Sequence, residues 1–245
     1  MQNTTSPMGA NNAMRMDTKK YQAKDSMSDL VSNNSRILLV ISRFGIPLGF
    51  GDRSVAEICE SNGVDPKTFL AVVNRLIDNT SDAVYSLSDI SLEALLLYLH
   101  NSHDYFLKYR LPGIRKKLIE VLGSPEGDLT AAVFNYFDEY ASEVSKHMQY
   151  EEKKVFPYVR SLLDGKHPGK YTIEKYQKCH DQVEMPLREF KQILIKYYPT
   201  RSSNELNSVL FDIFNCEYDL ASHTDIEDKL FTPLIFELER KLSNQ

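Results

Sequence analysis

"HMQYEEKKVFPYV", residues 147–159, sets His147 and Glu151 four positions apart, just ahead of an apolar run. Residues four apart on a helix share one face. A single pair of this kind is ordinarily a solvated surface feature, so its meaning depends on whether the chain repeats it. "HTDIEDKLFTPLI", residues 223–235, does so, with His223 and Glu227 at the same spacing and a nearly identical tail. Val155 and Phe156 follow His147, and Leu230 follows His223, at intervals that turn both pairs toward an apolar face.

Working outward, most of the chain shows a 3.6-residue apolar period, and alternating strand patterns are few. Four long segments, 91–122, 129–163, 172–197 and 203–241, are separated by "GSPEGD", "DGKHPGK" and the region of Pro199. This pattern predicts an all-α fold built on an antiparallel four-helix bundle over residues 90–243. A bend is expected in the first of these helices at Pro112. Upstream, 25–80 reads as a small helical domain. Its expected helices are 27–45 with Gly45 as C-cap, 54–63 capped by Ser54, and one from Asp65 with Pro66 at its first turn. Residues 1–24 are polar and read as a disordered lead-in without a secretory signal; 79–89 reads as a linker.

Composition narrows the function classes. A net charge of −5 over 245 residues, with no basic stripe, argues against a nucleic-acid binder. The longest apolar run, "ALLLYL", is far shorter than the ~20 residues of a membrane span. Cys59, Cys179 and Cys216 are isolated, which excludes a zinc ribbon or disulfide framework and fits a reducing cytoplasm.

Of six histidines, His167 falls in a breaker, and His100, His103, His147, His180 and His223 place at least one on each bundle helix. Leu92, Leu96, Leu99, Phe106, Leu107 and Ile114 form an apolar stripe that accommodates His103, whereas His100 lies at its edge. A buried carboxylate is costly unless a cation or donor compensates it. Two His–Glu pairs and two more inward histidines compensate one another badly, but compensate well around a divalent metal. Imidazole with carboxylate suits iron, manganese or zinc, and two bridging carboxylates favour a dinuclear centre.

These residues resemble the hemerythrin-like di-iron proteins, and among them the iron–sulfur cluster repair proteins (RIC, or ScdA-like). "HMQYEEKKVFP" and "HTDIEDKLFTP" resemble the family's paired H-x-x-x-E motifs. "CHDQVEMPL" is similar to its third-helix motif, and "HNSHDYFLKYRLPGI" is similar to its first. "SRFGIPLGFGDRSVAEI", residues 42–58, resembles the small domain that precedes the bundle in that family, but without the cysteine pair that follows Gly-Ile there. The resemblance implies two iron ions held by His103 (or His100), His147, Glu151, His180, His223 and Glu227, with both glutamates bridging. Asp228 competes with Glu227 for the bridge, and Glu184 stands where oxygen carriers have a further histidine. It also implies a cytoplasmic protein that protects or repairs iron–sulfur clusters after nitrosative or oxidative stress. Its partners would be nitric oxide or dioxygen and damaged iron–sulfur proteins, without nucleic acid or membrane, and with room for a homodimer. The alternative it leaves open is a module that binds or senses oxygen or nitric oxide.

Overall fold

The computed structural model describes residues 20–78, 88–123, 127–166, 171–180, 187–197 and 204–244. The lead-in before residue 20, most of the expected linker, His167 and Glu184 lie outside them. Among the described residues the fold is all-α, with one isolated bridge between Ser26 and Ser54 and no strand. No helix of the described residues is long and apolar enough to cross a membrane.

The first four helices are short and sharply punctuated. α1 (Met27–Asn33) and α2 (Ile37–Arg43) replace the single helix expected over 27–45. The break is at Asn34, which is extended and accepts the Arg36 N–H through its side chain at 3.1 Å. Asparagine that bonds the neighbouring backbone offers the chain an alternative to helix. Gly45, at φ 71°, then ends α2, with the Ile46 N–H returning to the Ile41 carbonyl at 3.0 Å. α3 (Val55–Ser61) opens on a capping box between Ser54 and Glu57, and α4 (Pro66–Ile77) on Asp65, whose carboxylate accepts the Thr68 N–H at 2.8 Å.

The bundle helices are long but not regular. α5 runs Leu92–Asp104, passes a π-helical turn at Tyr105–Arg110 and continues over Leu111–Leu122. α6 runs Asp128–Tyr150, turns π at Glu151–Val155 and continues over Phe156–Leu163. α7 (Ile173–His180) and α8 (Leu187–Tyr197) occupy the third position. α9 runs Asn204–Ile226, turns π at Glu227–Phe231 and continues over Thr232–Ser243.

Each π turn precedes a proline: Pro112, Pro157 and Pro233. Proline lacks the N–H for an α-helical bond and its ring crowds the carbonyl four residues back. The residue before each proline bonds five residues back instead: Leu111 to Phe106, Phe156 to Glu151, Thr232 to Glu227. The bend expected at Pro112 is thus a wide turn inside a continuing helix, and it recurs twice. Val155 and Phe156, and Leu230 and Phe231, at the ends of the second and third π turns, are all buried.

Two hydrophobic clusters fill the interior. One joins α1–α4 to one end of the bundle through Phe44, Phe69, Tyr98, Leu99, Val155 and Phe156. The other fills the opposite end with Phe106, Phe137, Met148, Phe190 and Ile213. Between them, at the π turns, lies a polar layer. Charge pairs also fix α1–α4 to the bundle. The buried Arg43 guanidinium donates to both Asp219 oxygens at 2.8 and 2.6 Å, and Arg75 grips Asp225 with Nη2–Oδ1 at 2.6 Å. Asn101 donates to the Arg43 carbonyl at 2.7 Å, and the Arg36 guanidinium sits 3.6 Å over the Tyr218 ring.

Candidate metal centre

The polar layer gathers side chains from three helices. His103 lies in the last turn of the first α segment of α5, Glu151 and Glu227 each begin a π turn, and His223 precedes Glu227 by one turn. One ligand atom from each of His103, Glu151, His223 and Glu227 lies within 4.8 Å of every other. All four residues are at most 2% exposed. A four-residue polar cluster this deep, with Phe156 stacked on His103 and Phe106 edge-on to His223, needs internal compensation.

Direct contacts supply only part of it. His103 Nε2 approaches Glu151 Oε2 to 3.1 Å, and His223 Nε2 approaches Glu227 Oε1 to 3.1 Å. Yet His103 Nε2, Glu151 Oε2 and both His223 nitrogens lack hydrogen-bond geometry to any described residue. Atoms that crowd together without bonding one another are aimed at a common point, the arrangement a cation would complete. Imidazole nitrogen and carboxylate oxygen are a donor set suited to iron, manganese or zinc. The residues fit a metal.

Tyr176 and Glu152 complete the surroundings, and neither was among the residues marked in the sequence. Tyr176, on α7, donates to Glu151 Oε1 at 2.6 Å. Burial, with the charges of Glu227 and Glu151, raises its phenol well above the ordinary range, so it stays a donor. Glu152 Oε1 lies 2.8 Å from His103 Nδ1 and 2.9 Å from His100 Nδ1. Burial disfavours this carboxylate's charge, but the two histidine hydrogen bonds outweigh it and hold the group below its usual range. For His103, burial disfavours the cation, yet Glu151 and Glu152 prevail and lift the metal-free imidazole to about 9. The centre therefore attracts positive charge.

The remaining expected ligands are placed as follows. His147 Nε2 lies 3.3 Å from Glu151 Oε1, beside the four-residue cluster. His100 is largely outside it, with its side chain 45% exposed and paired to Glu152. Asp228 is half-buried and is not among the four converging residues. His180 is the last residue of α7, but its side chain lies outside the described residues, as does Glu184. The π turns were also unmarked, although the prolines that follow them were visible.

The family model of the hemerythrin HHE cation-binding domain matches residues 97–235, more than half of the chain and the segment that carries the whole cluster. No curated protein matches the chain.

Proposed function

The chain belongs to the hemerythrin HHE cation-binding family, and we propose that it holds two irons bridged by Glu151 and Glu227 and uses them to protect or repair iron–sulfur clusters. The observation that carries the metal reading is the buried convergence of His103, Glu151, His223 and Glu227 within 4.8 Å. The family itself establishes a metal-binding module, typically of iron; the second iron and the repair role are our reading. His147 and His180 complete the proposed ligand set, giving four imidazoles and two carboxylates.

Iron in this setting supplies redox chemistry toward a diatomic ligand such as nitric oxide or dioxygen. The chain's own residues supply the rest. Tyr176 holds one oxygen of Glu151 and thereby steers the other toward the cluster. Phe106 and Phe156, fully buried against the His223 and His103 rings, shield that side of the cluster from water. The resemblance of residues 42–58 to the small domain of the repair proteins supports the repair reading, although the cysteine pair is missing and thiol chemistry there is absent.

The test is metal content with optical spectra of protein purified with and without air, followed by incubation with a nitric-oxide-damaged iron–sulfur enzyme. Two irons per chain and recovered enzyme activity are expected. Reversible oxygen binding with no recovery would replace the repair reading with the sensing one. That second reading has its own support. Arg43 and Arg75 hold Asp219 and Asp225, which lie on either side of His223 along α9, so movement of that helix would be felt by α2 and α4.

A further inference from the structure

We propose that Glu152 is a positioning residue that fixes which ring nitrogen of His103 faces the metal centre; this rests on the metal reading above. The consecutive carboxylates Glu151 and Glu152 take hold of both nitrogens of one imidazole. Glu151 Oε2 lies 3.1 Å from Nε2, and Glu152 Oε1 lies 2.8 Å from Nδ1. Of these two approaches, His103 Nε2 has no hydrogen bond, while Nδ1 has a good one. An ionised carboxylate can only accept, so Nδ1 keeps its proton, and Nε2 is the nitrogen whose proton a cation would displace to take the lone pair. This is the relation by which a carboxylate orients and strengthens a metal-bound histidine.

The arrangement is one-sided. His223 Nδ1 has no partner among the described residues, so nothing there fixes that ring as Glu152 fixes His103. His103 is further held by Phe156, stacked at 5.3 Å with 8° between planes. Glu152 is itself steadied from the solvent side by His100 Nδ1 at 2.9 Å. His100 thus acts on the site through Glu152 and not as a ligand. Consecutive residues of a helical turn point in different directions, which lets Glu151 enter the cluster while Glu152 reaches the rear of His103. Of the two histidines in the four-residue cluster, His103 is the one held from behind.

The experiment uses the full chain stripped of metal and titrated with cobalt(II), and, separately, loaded with zinc(II) for nitrogen-15 NMR of the imidazoles. E152L is expected to weaken cobalt binding about 10–100-fold, with helical content unchanged. E152Q, whose amide oxygen still accepts from Nδ1–H, should bind nearly as wild type, and H100A should keep the stoichiometry. In zinc-loaded wild type, His103 should show a slowly exchanging Nδ1–H and a metal-bound Nε2; E152Q should retain that proton signal and E152L lose it. Equal cobalt affinity in E152L and wild type would overturn the proposal while leaving the metal centre standing. So would a wild-type spectrum with Nδ1 bound to zinc, whatever the variants do. A wild-type protein that takes up neither ion would overturn the metal reading and this inference together.

Discussion

Replacing Asp219 with leucine should destabilise the protein far more than the loss of an ordinary ion pair. Arg43 is 4% exposed and Asp219 7%, and the pair is bidentate. Surface pairs contribute about 0–1 kcal/mol. Here the leucine variant leaves a guanidinium buried beside Tyr98 with no counter-charge, because its lost partner was on another helix. Removing one member of such a pair costs about 3–5 kcal/mol, a large share of the roughly 5–15 kcal/mol typical of a folded protein. With urea slopes of about 1–3 kcal/mol/M, the midpoint should fall by roughly 1–5 M. Removing both charges, in R43M/D219L, should recover most of the loss, since apolar groups of similar size tolerate this environment. The assay is urea unfolding followed by circular dichroism on metal-free protein. A D219L cost below about 1 kcal/mol, or a double variant as unstable as the sum of the singles, would refute the claim that burial makes this pair matter.

Glu151→Leu and Glu227→Leu should each lower iron occupancy while helical content stays largely intact, whereas Asp228→Leu should keep it; elemental analysis with circular dichroism decides, and the reverse pattern would move the bridge to Asp228. His103→Ala should cost metal and His100→Ala should not, because His103 is 2% exposed within the cluster and His100 stands outside it; metal per chain from the two variants settles this. Burial pushes the Cys59 and Cys216 thiols up to about 12, so both should resist alkylation in the folded protein at mildly alkaline pH and react after unfolding. Peptide mapping of native and urea-unfolded samples checks it, and fast native labelling of either would contradict the burial.

What could be read in the sequence were the features whose causes are local. Ser54 and Asp65 begin helices because a side-chain oxygen answers an N–H three residues away, and such pairs need no tertiary context. The His–Glu pairs were visible for the same reason: spacing within one helix decides their shared face. The break at Asn34 was hidden because apolar residues keep their period across it. The π turns left a fainter mark, a proline at 112, 157 and 233 inside an apolar period that continues past it. Contacts across helices left no comparable mark. Glu152 reads as one more charge in "EEKK", and it becomes a partner of His103 only because α5 docks against α6 at that height. Tyr176 likewise reads as part of an amphipathic face until α7 delivers its hydroxyl to Glu151. The ligand-bearing turns are thus set by local spacing, while the groups that orient them are set by docking, so reading the second from sequence requires the first to have been placed in three dimensions.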